Sequence, residues 1–216
     1  MSESVSAVIE RLRFVSSPAP AIYLNEALVS ETFIAHLGAV ESFTRTASRE
    51  VTGGVKSVVS VGGAKGTQDQ IEYDLSDSLT QALVLHTALG AEDQVRRPAA
   101  GTTVGSFVEA VGAAFFPSLN WPTATPSELE DVARLLEAEC ERQTQVARAF
   151  GKADADLVSL LLNGDDLVCG SVIDRTHVRP NVAASYLDQT QICFGIMERV
   201  LNDLPLFTLL YMRAYV

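Results

Sequence analysis

A chain of 216 residues, 47% hydrophobic and 20% charged, is long enough to bury about 70% of its unfolded surface, so it needs no disulfide or metal to hold a core. That apolar content excludes wholesale disorder, and the composition excludes collagen-like, coiled-coil and mucin-like chains. The excess of 27 acidic over 16 basic residues, a formal charge of −11, disfavours general binding to nucleic acid or to an anionic membrane, since both repel an acidic surface.

In chain order, Val5, Val8, Ile9 and Leu12 share one helical face over residues 4–14. Ser16-Ser17-Pro18-Ala19-Pro20 breaks that segment. Ala21 to Leu24 is a short run of strand formers, Asn25 can cap a helix, and Glu26 sits where its charge suits the helix dipole. Leu28, Phe33, Ile34 and Leu37 give this helix an apolar side, and Gly38 can close it. From Ala39 to Thr52 the pattern turns to period two, Gly53-Gly54 marks a turn, and strands resume over 55–61 and 68–75 around the Gly62–Gly66 turn. Ser76 or Asp77 then caps a helix that runs to about Leu89 and ends at Gly90.

Residues 91–103 read as a loop, and 104–116 as a strand bent at its glycines. Residues 117–125 form a loop holding Trp121. Thr125-Pro126 opens a long acidic helix with Glu128, Glu130 and Asp131 in its first turn. Leu129, Val132, Leu136, Cys140, Val146 and Phe150 form its apolar stripe, and Gly151 ends it. A short helix is expected over 154–162, a strand interrupted by Gly170 over 167–178, a helix from about 183 to 201, and a final strand over 204–215. This order lacks regular βαβ alternation, so the fold class expected is α+β, with a mixed or antiparallel sheet, a β-ribbon and packed helices. One domain is expected over 1–216, with a subdivision available near 91–103.

Lys56, Lys65 and Lys152 are the only lysines beside thirteen arginines, a bias typical of GC-rich bacterial genomes. Cys140, Cys169 and Cys193 are widely spaced in apolar stretches, with no metal-ligand spacing, and read as reduced buried thiols. The N-terminus lacks a signal-peptide core, and no apolar run reaches about 18 residues. The expected location is therefore the cytoplasm, with no membrane partner.

No strong catalytic motif is present, so no catalytic residue, metal or cofactor is expected. Gly62-Gly63-Ala64-Lys65-Gly66-Thr67 has the wrong spacing for a phosphate-binding loop and reads as a hairpin tip, with Lys65 available to a ligand. The charged segment Asp174-Arg175-Thr176-His177-Val178-Arg179 follows a strand. There Arg175, His177 and Arg179 are candidates for holding an anion or phosphate, against the plainer reading of a solvated turn. His36 and His86 read as structural, and the carboxylates of the long helix, Glu137, Glu139 and Glu141 among them, as a solvent face.

Ile22-Tyr23-Leu24-Asn25-Glu26 with Leu28-Val29 resembles the opening of an uncharacterised bacterial family, domain of unknown function 6414. Tyr73-Asp74-Leu75-Ser76-Asp77, the strand Gly105-Ser106-Phe107-Val108-Glu109-Ala110-Val111-Gly112, and Leu167-Val168-Cys169-Gly170-Ser171-Val172 are similar to later phrases of that family. The chain departs from it at Asn25, where acidic residues are usual, and in its long acidic helix. The resemblance implies a shared fold and a soluble prokaryotic protein, and no chemistry. The expected function is that of a non-enzymatic cytoplasmic binding or regulatory protein in phage–host conflict or stress, homo-oligomeric through its apolar terminal segments. The alternatives are a nucleotide or phosphate sensor or sponge, and a hydrolase with a dispersed site.

Overall fold

The computed structural model describes residues 21–37, 42–49, 55–58, 69–74, 77–117, 125–152, 156–179 and 189–215. The expected first helix, the Gly53-Gly54 and Gly62–Gly66 turns, Lys65 and Trp121 lie outside them. The fold is α+β with a mixed sheet, and the chain gathers into two compact units. One unit comprises Met1–Ser17 and Ala27–Glu92, the other Pro18–Glu26 and Asp93–Val216.

The first unit carries helix α1 (Glu26–Leu37), strands β2 (Ser42–Arg49), β3 (Val55–Val58) and β4 (Asp69–Asp74), and helix α2 (Ser78–Ala91). The strands form an antiparallel sheet with β2 between β3 and β4. The expected cap of α2 is Asp77, whose carboxylate accepts from Thr80 N and from Thr80 Oγ1, both at 2.8 Å. It thereby satisfies one of the orphan amides of the first turn. Ser30 on α1 donates to Gln81 on α2 at 2.8 Å, tying the two helices together.

The second unit is built from β1 (Ala21–Leu24), β5 (Val95–Arg96), β6 (Phe107–Phe115), helix α3 (Glu130–Ala149), β7 (Leu157–Gly164), β8 (Leu167–Asp174), β9 (Thr190–Leu201) and β10 (Leu204–Ala214). Strand pairing runs β6-β7-β8-β10-β9 and returns to β6, which closes a five-stranded barrel. Only the β8–β10 contact in this ring is parallel. Closure removes the open edges that an isolated sheet of this length would expose. β1 extends the edge of β10 beyond β8, and β5 lies beside the start of β6.

Side chains alternate between two apolar clusters. Val158, Leu160 and Leu162 of β7, Cys169 and Ile173 of β8, and Phe207 and Leu209 of β10 share one cluster, the filling of the barrel. Leu161, Val168, Val172, Leu204 and Leu206 turn the other way and pack with Leu129, Ala133 and Leu136 at the start of α3. Leu136 is fully buried. A Cβ at Gly170 would lie 3.0 Å from both Leu136 methyls, so the glycine leaves room for the helix and does not interrupt β8.

Two expected helices are strands. Residues 157–164 form β7 and 190–201 form β9. The reason is double burial. Residues 158–162 and 191–195 are buried without a gap, so the period-two signal of a half-exposed strand is erased. β9 also needs Gly195, because a Cβ there would run into Thr208 O on β10 and lie 2.8 Å from Phe207 Cδ2. One local signal for the β9–β10 hairpin was present. Asn202 and Asp203 sit at φ of 45° and 68°, the paired positive angles of a two-residue I′ turn. The expected loop 91–103 contains the short β5.

Candidate functional site

The C-terminal half of α3 runs beyond the apolar contact that anchors its first half. Between this half and the ends of β7 and β8 lies a recess of about 290 Å³, lined by Arg142, Gln143, Val146, Ala147, Lys152, Leu157 and Asp174. Its walls combine two cations, one amide and one carboxylate with an apolar floor.

Arg142 is fixed from behind. Its Nε donates to Glu139 Oε2 at 2.9 Å and its Nη2 to Oε1 at 2.7 Å. Gln143 Nε2 donates to Glu139 Oε1 at 3.0 Å, and Arg199 Nη2 of β9 donates to the same oxygen. The Glu139 side chain is only 6% exposed. Its carboxyl is held below the usual glutamate range, chiefly by the Arg142 hydrogen bonds, against the opposing effect of burial. A forked guanidinium–carboxylate contact restricts orientation as well as supplying charge. The cost of ordering Arg142 is thus met before any ligand arrives. Glu139 was expected on a solvent face and is instead buried. The spacing to Arg142 and Gln143 at i+3 and i+4 made their hydrogen bonds to it legible, but its burial was not, since the remaining partner, Arg199, comes from β9.

Arg175, Thr176 and His177 form a single 3₁₀ turn after β8. Asp174 caps it, accepting from Thr176 N at 2.9 Å and from Thr176 Oγ1 at 2.6 Å. Arg175 N donates to Asp156 O at 2.8 Å, and its guanidinium lies 3.9 Å from the Asp156 carboxylate, both side chains about half exposed. His177 meets the Tyr23 ring edge-on, with centroids 5.9 Å apart. Arg179 N donates to Ile22 O at 2.9 Å, tying the turn to β1. Burial, and then the negative charge of Asp174, push the Tyr23 hydroxyl up to about 12. The three residues singled out in this turn therefore have different immediate partners: an aspartate for the Arg175 side chain, a tyrosine ring for His177, and a β1 carbonyl for the Arg179 amide. Asp174 is the member of the segment that lines the recess, and Arg175 adjoins it.

All three cysteines are free and buried. Burial pushes the Cys169 thiol up to about 12, and Cys193 and Cys140 are raised by the same cause. Raised thiols hold little thiolate at neutral pH, which disfavours nucleophilic chemistry at these positions. Among the described residues no group of three or more His, Cys, Asp and Glu side chains is placed to hold a metal ion. Among them, too, no helix is long and apolar enough to cross a membrane. Comparison with known proteins finds no matching family model, no matching curated protein and no matching solved structure.

Proposed function

We propose that this chain is a non-catalytic binding protein whose ligand or partner seats in the recess beneath the C-terminal half of α3. The observation that carries this reading is Arg142, a cation immobilised by a buried carboxylate at the wall of an open recess. Preorganised charge of this kind favours recognition, because less side-chain entropy is lost on binding. The placement of α3 bears on the same point. Its apolar half packs on β7 and β8, and the recess lies between its C-terminal half and the ends of those strands.

A second reading, a sensor or sponge for a small anion such as a nucleotide or phosphate, is favoured by the pairing of Arg142 with Lys152 in one recess. Arg175, His177 and Arg179 follow the lining residue Asp174 in the chain and are not themselves among the lining residues. A role in phage–host conflict or stress, and descent shared with the resembling family, belong to the proposal and add no chemistry to it. Self-association is also part of the proposal, although the C-terminal run is taken up by β10, paired with β9 along its length and with β8 and β1 on its other side.

Native mass spectrometry of the purified full chain tests the reading. The expected result is a species heavier than whole multiples of 23.2 kDa, lost on Lys152→Glu. Bare chain masses for both proteins, together with turnover of a defined compound that one point change abolishes, would overturn it.

A further inference from the structure

The charges that line the recess balance. Arg142 is ion-paired with Glu139 through Nε and Nη2, and those bonds leave Nη1 as a donor. The other charged lining residues are Lys152 and Asp174, one of each sign. Neither has an ion-pair partner among the described residues. One recess therefore holds two opposite charges that do not neutralise each other by contact.

Both charges stand on fixed backbone. At the end of α3, Gly151 takes a φ of 81°, Gly151 N donates to Arg148 O at 3.0 Å, and Lys152 N donates to Ala147 O at 2.9 Å. These are the two bonds of a Schellman motif, which turns the chain back over the last helical turn. The Lys152 backbone is thereby held beside Ala147, another lining residue. Asp174 ends β8 opposite Leu157 of β7. Both of its bonds to Thr176 use Oδ1, which leaves Oδ2 to accept. Val146, Ala147 and Leu157 supply the apolar part of the lining.

We infer that the recess binds a free α-amino acid with an apolar side chain about the size of leucine. Its carboxylate meets Lys152 and Arg142 Nη1, its ammonium meets Asp174, and its side chain rests on Val146, Ala147 and Leu157. The inference rests on the recess being the binding site and names its ligand. An α-amino acid carries both charges on one carbon and has no net charge, which matches the balanced lining. Other classes each leave a group unmatched. A phosphate or nucleotide faces the Asp174 carboxylate, and a metal ion faces Lys152 with one carboxylate to hold it. A wholly apolar molecule strands both charges, and the end of a peptide chain brings only one charge of the two. The volume of about 290 Å³ lies at the small end of ligand pockets, which span roughly 300–1,000 Å³, and suits one amino acid better than a nucleotide.

The test is calorimetric titration of the full chain with L-leucine and with its two halves, isocaproate, which lacks the ammonium, and isoamylamine, which lacks the carboxylate. Leucine should bind wild type about tenfold more tightly than either half, the worth of one charge-assisted hydrogen bond. Asp174→Asn keeps the Oδ1 acceptor for Thr176 and removes only the charge. It should weaken leucine about tenfold and leave isocaproate unchanged. Lys152→Gln should weaken leucine similarly and leave isoamylamine unchanged. Unchanged melting curves would show that both variants fold, and the two half-compounds test the same point on wild type alone. The inference is overturned if leucine at millimolar concentration does not bind, or if both variants bind it as wild type does. It is overturned as well if isocaproate binds as tightly as leucine, which would give the recess to a simple anion. A different species retained in native mass spectrometry and lost on Lys152→Glu would sink the amino acid while keeping the recess as the site. Bare chain masses for both proteins, with none of the three compounds bound, would remove the recess too.

Discussion

The two halves of α3 share one helical periodicity and meet opposite fates. In the first half, Ala133, Leu136 and Cys140 are buried, and the preceding Leu129 with them. In the second, Val146 and Phe150 remain exposed. Charge differs at the two ends as well. Glu130 and Asp131 stand in the first turn and Arg148 in the last, an arrangement that suits the helix dipole at each end. The difference teaches that an apolar stripe records what a helix can bury, and that the surface beneath it decides how much of the stripe is buried.

Leu136→Ala should break the packed half most severely. It removes a fully buried side chain facing Gly170 and Leu206, at a cost of about 3 kcal/mol in urea unfolding, since leucine truncations in cores typically cost 2–5 kcal/mol. A loss below about 1 kcal/mol would mean that α3 is not anchored as described.

Glu139→Gln probes the boundary between the halves. It leaves two guanidinium groups facing a neutral amide, and the expected loss at pH 7 is about 1–2 kcal/mol, reduced from a fully buried pair because both arginines are partly exposed. The pH dependence has a definite sign. The folded-state pKa of Glu139 lies below its ordinary value, so its contribution is complete above the unfolded value of about 4.3 and is lost as pH falls through the lower folded value. The stability gap between wild type and Glu139→Gln should accordingly be widest above about pH 5 and close in stronger acid. A gap independent of pH would exclude the carboxylate as its cause.

The smallest effect belongs to the open half. Phe150→Ser should change the melting free energy by no more than about 0.5 kcal/mol, as for surface positions generally. A loss comparable to that of Leu136→Ala would show that Phe150 is covered in solution.

How much was legible in the sequence varied with how local the signal was. The helix after Asn25, the Asp77 cap and the strands at 107–115 and 204–214 were readable from neighbouring residues. Residues 157–164 and 190–201 were not, because strands covered on both faces lose their alternation and match buried helices in apolar content. At the recess, Arg175 and Asp174 drew notice as a cluster of charge. Arg142 and Lys152 drew none as a site, because only the way α3 lies against β7 and β8 brings them to one recess with Leu157 and Asp174.

By itself the sequence determined the acidic balance, the α+β class, the position of α3 and the charges at its two ends, since all of these depend on composition or on contacts within a few residues. Tertiary structure alone decided that the barrel closes, that Glu139 is buried while Glu141 is exposed, and that the apolar stripe of α3 runs past its cover. Those outcomes depend on pairings between residues far apart in the chain, which no local pattern encodes.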